Sequence, residues 1–244
     1  MRLQGAIRLL YPPACSVCNA PVTEDHALCP ACWRDTPFIA GTVCDQCGTP
    51  LPSDGPADAD QTPPVCDECI ALARPWDRGR AALVYGGTAR RIVLDIKHGD
   101  RLELIRPAAR WLAGAAAPLL RPETLIVPVP LHWTRLLRRR FNQSAMLARA
   151  LAAATGHTAC PDLLVRRRRT PSQGGHDREA RFRNLEGAIG LHPRRAGLAR
   201  GRHVLLVDDV MTSGATLAAA ADACLAGGAR SVDVVVLARV AKDG

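Results

Sequence analysis

From Ala81 to the C-terminus, short apolar runs alternate with segments whose apolar residues recur at helical spacing, the pattern of an α/β domain. Ala81–Tyr85 reads as a strand ending at Gly86-Gly87, and Ala89–Ile96 and Leu102–Leu120 carry helical spacing. Thr124–Val127 is a buried strand stopped by Pro128 and Pro130, and Gln143–Thr155 is an Ala/Leu helix closed by Gly156. Leu163–Arg168 and Leu185–Gly190 read as a short strand pair around a long Arg-rich loop. Val204–Val207 is a strand, Thr216–Ala226 a helix ended by Gly227-Gly228, and Val232–Leu237 a strand.

The chain has 244 residues, 48% of them hydrophobic, which suits a mid-sized domain with a real core and a small appendage. The break falls at Arg74–Arg80, giving expected units of 1–75 and 76–244. Leu51–Pro64, rich in Pro, Asp and Gly, reads as a mobile hairpin tip inside the first unit. No apolar run approaches the ~20 residues that cross a bilayer, and Met1–Pro12 lacks the apolar core of a secretory signal. A cytoplasmic protein with no membrane insertion is expected.

Eight of the ten cysteines form four C-x-x-C pairs: Cys15/Cys18, Cys29/Cys32, Cys44/Cys47 and Cys66/Cys69. This spacing turns both sulfurs of a knuckle toward one tetrahedral ion, and two knuckles complete a four-thiolate zinc site. Two structural zinc sites are implied, with no open position for catalysis. Similar residues after Cys18 and Cys47 mark matching first knuckles and favour sequential pairing; spacing alone also permits an interleaved one. Cys160 and Cys224 have no partners at ligand spacing and read as ordinary semi-buried residues.

Charge sharpens the division. Residues 1–75 carry four basic and nine acidic residues, and two zinc–tetrathiolate centres would make that segment more negative still. Such a module repels phosphodiesters, so a scaffold, lid or protein-contact role is expected of it. Residues 131–184 hold twelve Arg against Asp162, Asp177 and Glu179, a balance of +9 that equals the net charge of the whole chain. The clustering points to a localised anion site. Lys97 stands out in a chain that uses Arg at 30 of its 32 basic positions: its compact ammonium would fit where a guanidinium would not.

The most informative segment is Val204-Leu-Leu-Val-Asp208-Asp209-Val-Met-Thr212-Ser213-Gly214-Ala215-Thr216. A buried strand delivers two carboxylates to a small-residue turn and a helix N-terminus, where free backbone N–H groups and the helix dipole suit a phosphate. Gly214 permits close approach, and the hydroxyls of Thr212, Ser213 and Thr216 add donors. Two acids beside a phosphate cradle make electrostatic sense if they accept hydrogen bonds from sugar hydroxyls.

This segment resembles the phosphoribosyl-pyrophosphate (PRPP) motif of type I phosphoribosyltransferases. Val127-Pro-Val-Pro-Leu-His132, Arg140-Phe-Asn-Gln143, Thr170-Pro-Ser-Gln173, Arg181-Phe-Arg-Asn184-Leu and Lys97-His-Gly-Asp-Arg101 are together similar to the ComF (ComFC) family. Arg140 stands where that pattern has Gly, and His176 where it has an apolar residue. The resemblance implies a type I phosphoribosyltransferase-like parallel sheet with helices on both faces, preceded by a double zinc ribbon. It implies that Asp208 and Asp209 hold the ribose hydroxyls, that Thr212, Ser213, Gly214, Ala215 and Thr216 cradle the 5′-phosphate, and that Mg²⁺ accompanies PRPP. Val129, Pro130, Leu131 and His132 correspond to the pyrophosphate-binding loop. Arg166, Arg167, Arg168, Arg169, Arg178 and Arg181 flank Gly174-Gly175 in a mobile loop that would close over PRPP, with Arg181 at the reacting centre. Lys97, Arg138, Arg139 and Arg140 complete a basic set for pyrophosphate or DNA. The family is linked to competence and transforming-DNA uptake, so competence proteins are the expected partners of the ribbon.

Two function classes follow. As an enzyme, the chain would let a nucleophile displace pyrophosphate from the anomeric carbon of PRPP; no base-reading cluster identifies the acceptor. As a binding module, it would sense PRPP or a nucleotide, or hold single-stranded DNA on its Arg-rich stretch. The paired carboxylates discriminate, because a pure DNA binder does not need them.

Overall fold

Strands β6 (His203–Met211) and β7 (Ser231–Arg239) are apolar on both faces, as the centre of a parallel sheet requires. The computed structural model describes residues 12–52, 63–98, 101–168, 182, 184–185 and 187–241. With β1 (Gly79–Val84), β2 (Leu125–Pro128) and β3 (Thr158–Ala159), these strands form a parallel sheet in the order β1-β7-β6-β2-β3. The short strands β4 (Leu164–Arg166) and β5 (Ile189–Leu191) pair antiparallel beside it. Helices α1 (Pro30–Arg34) and α2 (Asp67–Ala71) belong to the cysteine-rich segment. Helices α3 (Gly87–His98), α4 (Ile105–Ala116), α5 (Trp133–Arg139), α6 (Gln143–Thr155) and α7 (Ala215–Ala226) follow. No helix among the described residues is long and apolar enough to cross a membrane.

The period-two geometry of β6 divides the core. Leu205 and Val207 pack with Ile92, Ile96, Leu112, Leu147 and Leu151 from α3, α4 and α6, whereas Val204 and Leu206 pack with Leu217, Ala218 and Ala221 from α7. Each Leu or Ile buried in this way contributes about 1.5–3 kcal/mol. An exposed pair such as Arg195–Asp162 is screened by solvent and contributes little, so the two apolar layers carry the fold.

The expected elements are present, with four differences. The short edge strand β3 was not expected, and the strand expected over 185–190 runs instead from Ile189 to Leu191, because Asn184 and Leu185 are helical. The apolar run ends at Val207, but β6 continues to Met211 because its pairing with β7 continues (Val210 with Ala238, Met211 with Arg239) after pairing with β2 has stopped at Pro128–Val207. Helix α5 was not expected; it spans only seven residues, three of them Arg, too short for its one apolar turn to establish a helical period. The expected hairpin tip 51–64 and the loop with Gly174-Gly175 lie largely or wholly outside the described residues.

Residues between the two pairs of knuckles run along the open edge of β1. Phe38 bridges Leu83 in antiparallel fashion, Ile39 N donates to Ala82 O (3.0 Å), Val84 N to Pro37 O (2.9 Å) and Gly79 N to Asp45 O (2.8 Å). Gly48 has φ +70°, and a Cβ there would lie 2.7 Å from Ala81 N, so only glycine allows the knuckle to come this close to the strand.

Candidate functional site

The chain steps from β2 to β3 toward one edge of the sheet and from β6 to β7 toward the other. The helices that follow β2 and β6 therefore lie on opposite faces, and the carboxyl ends of these strands border a crevice, the usual ligand position in an open parallel sheet. Asp208 is the first β6 residue beyond the end of β2, so its carboxylate and that of Asp209 enter the crevice.

Helix α6 receives both carboxylates at its first turn. Ser144 Oγ donates to Asp208 Oδ1 (2.7 Å) and Gln143 Nε2 to Asp209 Oδ2 (2.8 Å), while Asn142 caps the helix through its Oδ1. From the last turn of α3, Lys97 Nζ lies 3.0 Å from Asp209 Oδ2. Lys97 thus sits on the second carboxylate, a placement that its sequence context did not specify. Among the described residues, the hydrogen bonds to Asp208 fall on Oδ1 and those to Asp209 on Oδ2, which leaves one oxygen of each for a ligand. Gln143 Oε1 is likewise buried without a partner among those residues. Burial, then the charge of Asp209, pushes the Asp208 carboxyl up to about 7, against the opposing pull of Ser144, the Asp209 N–H and Lys97.

Thr212, Ser213 and Gly214 form the turn from β6 into α7. Gly214 is the N-cap, in the left-handed region at φ +81°, and Ala215 and Thr216 open the twelve-residue helix. Beneath the turn lie two buried guanidiniums. Arg74 Nη1 donates to Ser213 O (2.6 Å), and Arg239 Nη1 donates to the carbonyls of Met211 (3.3 Å), Thr212 and Val240 (2.8 Å). Both also reach Glu68 Oε1 on α2, at 2.8 and 3.2 Å.

Val129, Pro130, Leu131 and His132 leave β2 along the other side of the crevice. Val129 N donates to Val207 O (2.9 Å), and Asn142 Nδ2 donates to Val129 O (3.2 Å). His132 is buried: its Nδ1 accepts from Thr134 N and caps α5. Arg138 and Arg139 lie on α5, and Arg140 ends it at φ +65°, the left-handed conformation that suits Gly. Trp133 and Leu137 on this short helix are 63% and 72% exposed. Arg166, Arg167 and Arg168 belong to β4 and the residues after it, in the separate two-stranded sheet. Arg169, Arg178 and Arg181 lie outside the described residues. An apolar groove of about 560 Å³ lined by Leu185, Ile189, Ala215, Ala219 and Asp222 runs along α7 toward β5, away from the two carboxylates.

Eight cysteines assemble as Cys15, Cys18, Cys29 and Cys32, and as Cys44, Cys47, Cys66 and Cys69, with the sulfurs of each set within 4.8 Å of one another. The pairing is sequential. Cys18–Cys29 and Cys47–Cys66 Sγ separations of 3.6 and 3.7 Å are too long for disulfides and close to the ~3.8 Å edge of a tetrahedron with 2.3 Å metal–sulfur bonds. In the second set, hydrogen bonds from Cys47 and Cys69 hold the Cys44 thiol low. The Cys69 thiol is pushed up by Cys44 and Cys47, with Arg74 pulling the other way. Protons shared among four sulfurs are what a divalent cation displaces, so these residues fit zinc. Cys160 and Cys224 are buried, and burial pushes Cys224 up to about 12.

Comparison with known proteins agrees with this architecture. The double zinc ribbon domain matches residues 6–70, and the phosphoribosyl transferase domain matches residues 142–244. The DNA utilization protein YhgH of Escherichia coli K12 is 31% identical over 95% of this chain and 99% of its own length. Competence protein F of Haemophilus influenzae is 26% identical over 79% of this chain and 81% of its own. Among solved structures, the glutamine PRPP amidotransferase of Bacillus subtilis superposes with a TM-score of 0.40 and 16% identity, covering 59% of this chain and 30% of that one. A ribbon of two four-cysteine clusters, a phosphoribosyltransferase-type parallel sheet and near-complete alignment with these relatives place the chain in the ComF family of competence and DNA utilization proteins.

Proposed function

We propose that the crevice binds PRPP with Mg²⁺ and that the protein acts in the handling of incoming DNA, as the names of its relatives suggest. One observation carries this reading. Among the described residues, Asp208 and Asp209 each keep one carboxylate oxygen free beside a glycine-containing turn at a helix N-terminus. Sugar hydroxyls donate to the carboxylates, and the 5′-phosphate accepts from the amides of Thr212–Thr216. Val129–His132 borders the position of the pyrophosphate. When bound, Mg²⁺ neutralises pyrophosphate charge.

Where an acceptor is present, its lone pair forms the bond to the anomeric carbon as the carbon–oxygen bond to pyrophosphate breaks and the electron pair leaves with pyrophosphate. Lys97 holds the Asp209 carboxylate in place, and Asp208 accepts from a hydroxyl once it has lost its proton. Calorimetry of Mg·PRPP against the full chain and against Asp209→Asn tests the reading. Saturable binding that the variant loses is expected; a wild-type chain that takes up no PRPP overturns it.

A second reading rests on Trp133. Its exposed ring stands on a helix that also carries Arg135, Arg138 and Arg139, a combination of stacking face and charge that suits single-stranded DNA along the crevice rim. Trp133→Ala should then weaken single-strand binding several-fold while leaving PRPP binding intact, with a steep dependence on salt.

A further inference from the structure

The turn that would hold the phosphate is anchored from below by residues of the cysteine-rich segment and of the last strand. Arg74 follows α2 in sequence, Glu68 is on α2, and Arg239 ends β7. The Arg74 side chain is fully buried and that of Arg239 is 3% exposed. In a planar trans peptide the C=O points opposite to the N–H of the next residue. Fixing the carbonyls of Met211, Thr212 and Ser213 on the guanidiniums therefore turns the N–H groups of Thr212, Ser213 and Gly214 away from them, toward the crevice. Gly214 completes the arrangement: a Cβ there would lie 2.9 Å from Arg74 Nη1 and 3.1 Å from the Trp76 ring.

Stability does not account for this cluster. Two buried guanidiniums share one carboxylate oxygen, and the Nε of each is buried without a hydrogen-bond partner among the described residues. Buried ion pairs stabilise weakly, and unpaired N–H groups are unfavourable. The cluster does have a geometric result, which is the orientation of three consecutive amides.

We propose that Arg74 and Arg239, bridged by Glu68, are positioning residues that aim the Thr212–Gly214 amides at the ligand phosphate, so that the second half of the zinc ribbon forms the floor of the ligand site. This rests on the PRPP reading of the crevice. The guanidiniums touch no ligand; they act through the turn.

The test uses the full chain with both zinc ions bound. Arg74→Lys keeps the charge but cannot hold Glu68 and Ser213 O together, and Arg74→Met removes both contacts. Mg·PRPP affinity should fall about tenfold in the first and further in the second, the loss expected for charge-assisted hydrogen bonds. Zinc content should stay at the wild-type value, and hydrogen exchange at the 212–216 amides should quicken in the ligand-free chain. Should Arg74→Met fail to fold, Arg74→Lys and Arg239→Lys decide the matter. Unchanged affinity in the Lys variants, with only the melting temperature lowered, overturns the proposal. If the wild-type chain does not bind PRPP, the functional reading falls by itself. Exchange at the 212–216 amides then still decides whether the clamp exists: faster exchange in Arg74→Lys supports it, and unchanged exchange removes it.

Discussion

The two halves of the ribbon use the same four-cysteine chemistry and attach to the sheet in different ways. The first half packs Cys15, Val17 and Cys29 into the apolar layer shared with α3, α4 and α6, and Arg101 Nη2 donates to Ser16 O across the join. Its Cys18 is exposed. In the second half, Cys44 and Cys47 are completely buried. Asp45 accepts from Arg78 and Arg80, Gln46 O accepts from Trp76 Nε1, and Glu68 accepts from Arg74 and Arg239. The contrast teaches that ligand spacing sets the fold of each half, while the residues between the ligands decide whether that half is a peripheral staple or part of the crevice.

The sharpest way to break this comparison is to remove one ligand from each half. Cys44→Ser should lose one zinc equivalent, destabilise the chain on the order of 5 kcal/mol and abolish PRPP binding, because the floor of the site goes with it. Cys18→Ser should lose its zinc with a smaller drop in stability and little change in affinity. Zinc release assays, chemical denaturation and calorimetry read all three quantities, and equal behaviour of the two variants would erase the contrast.

Next in size are the polar joins. Asp45→Asn leaves Arg80 without its carboxylate and should destabilise by about 2–4 kcal/mol, whereas Arg101→Ala in the other half should cost about 1 kcal/mol or less. Denaturation midpoints compare the two directly.

A substitution in the crevice separates binding from stapling. The Asp208 carboxyl titrates at about 7 in the folded chain and near 3.9 when unfolded, so between these values the folded chain holds the extra proton. The contribution of this group to stability is therefore greatest below pH ~4, declines as pH rises to about 7 and is level above. Asp208→Asn should remove that slope, raise stability at pH 8 by about 1 kcal/mol and lose PRPP binding. In the wild-type chain, affinity should increase as pH rises through about 7, when Asp208 ionises. A flat profile would separate the carboxylate from the ligand.

The smallest effect lies outside both halves. Arg140→Gly relieves a left-handed residue at the end of α5 and should stabilise by about 0.5–1 kcal/mol, after the entropy of glycine is subtracted, with zinc content unchanged.

Local signals made much of this legible in the sequence. The knuckles of Cys15–Cys69, the apolar run of β6 and the Asp208–Thr216 segment each lie within one continuous stretch, where spacing and period speak directly. The contacts that join the parts do not. Arg74 and Ser213 are 139 residues apart, and Glu68 and Arg239 are 171 apart, so Arg74 reads as a linker charge until the fold brings them together. Lys97 could be singled out as unusual, but its partner Asp209 follows only from the packing of α3 across the sheet. Helix α5 stayed hidden because its seven residues hold a single apolar turn, Trp133, Leu136 and Leu137, too little for a period to show.

The main-chain bonds that residues 37–45 make along β1 bear on how such a gene can be cut and recombined. A truncation at the sequence boundary near residue 75 would strip that cover and leave a row of unpaired amides and carbonyls, an open template for other copies to pair with. The transferase-like portion expressed alone should therefore aggregate. A swap of ribbons between homologues should succeed only where the crossover carries β1 along with the ribbon.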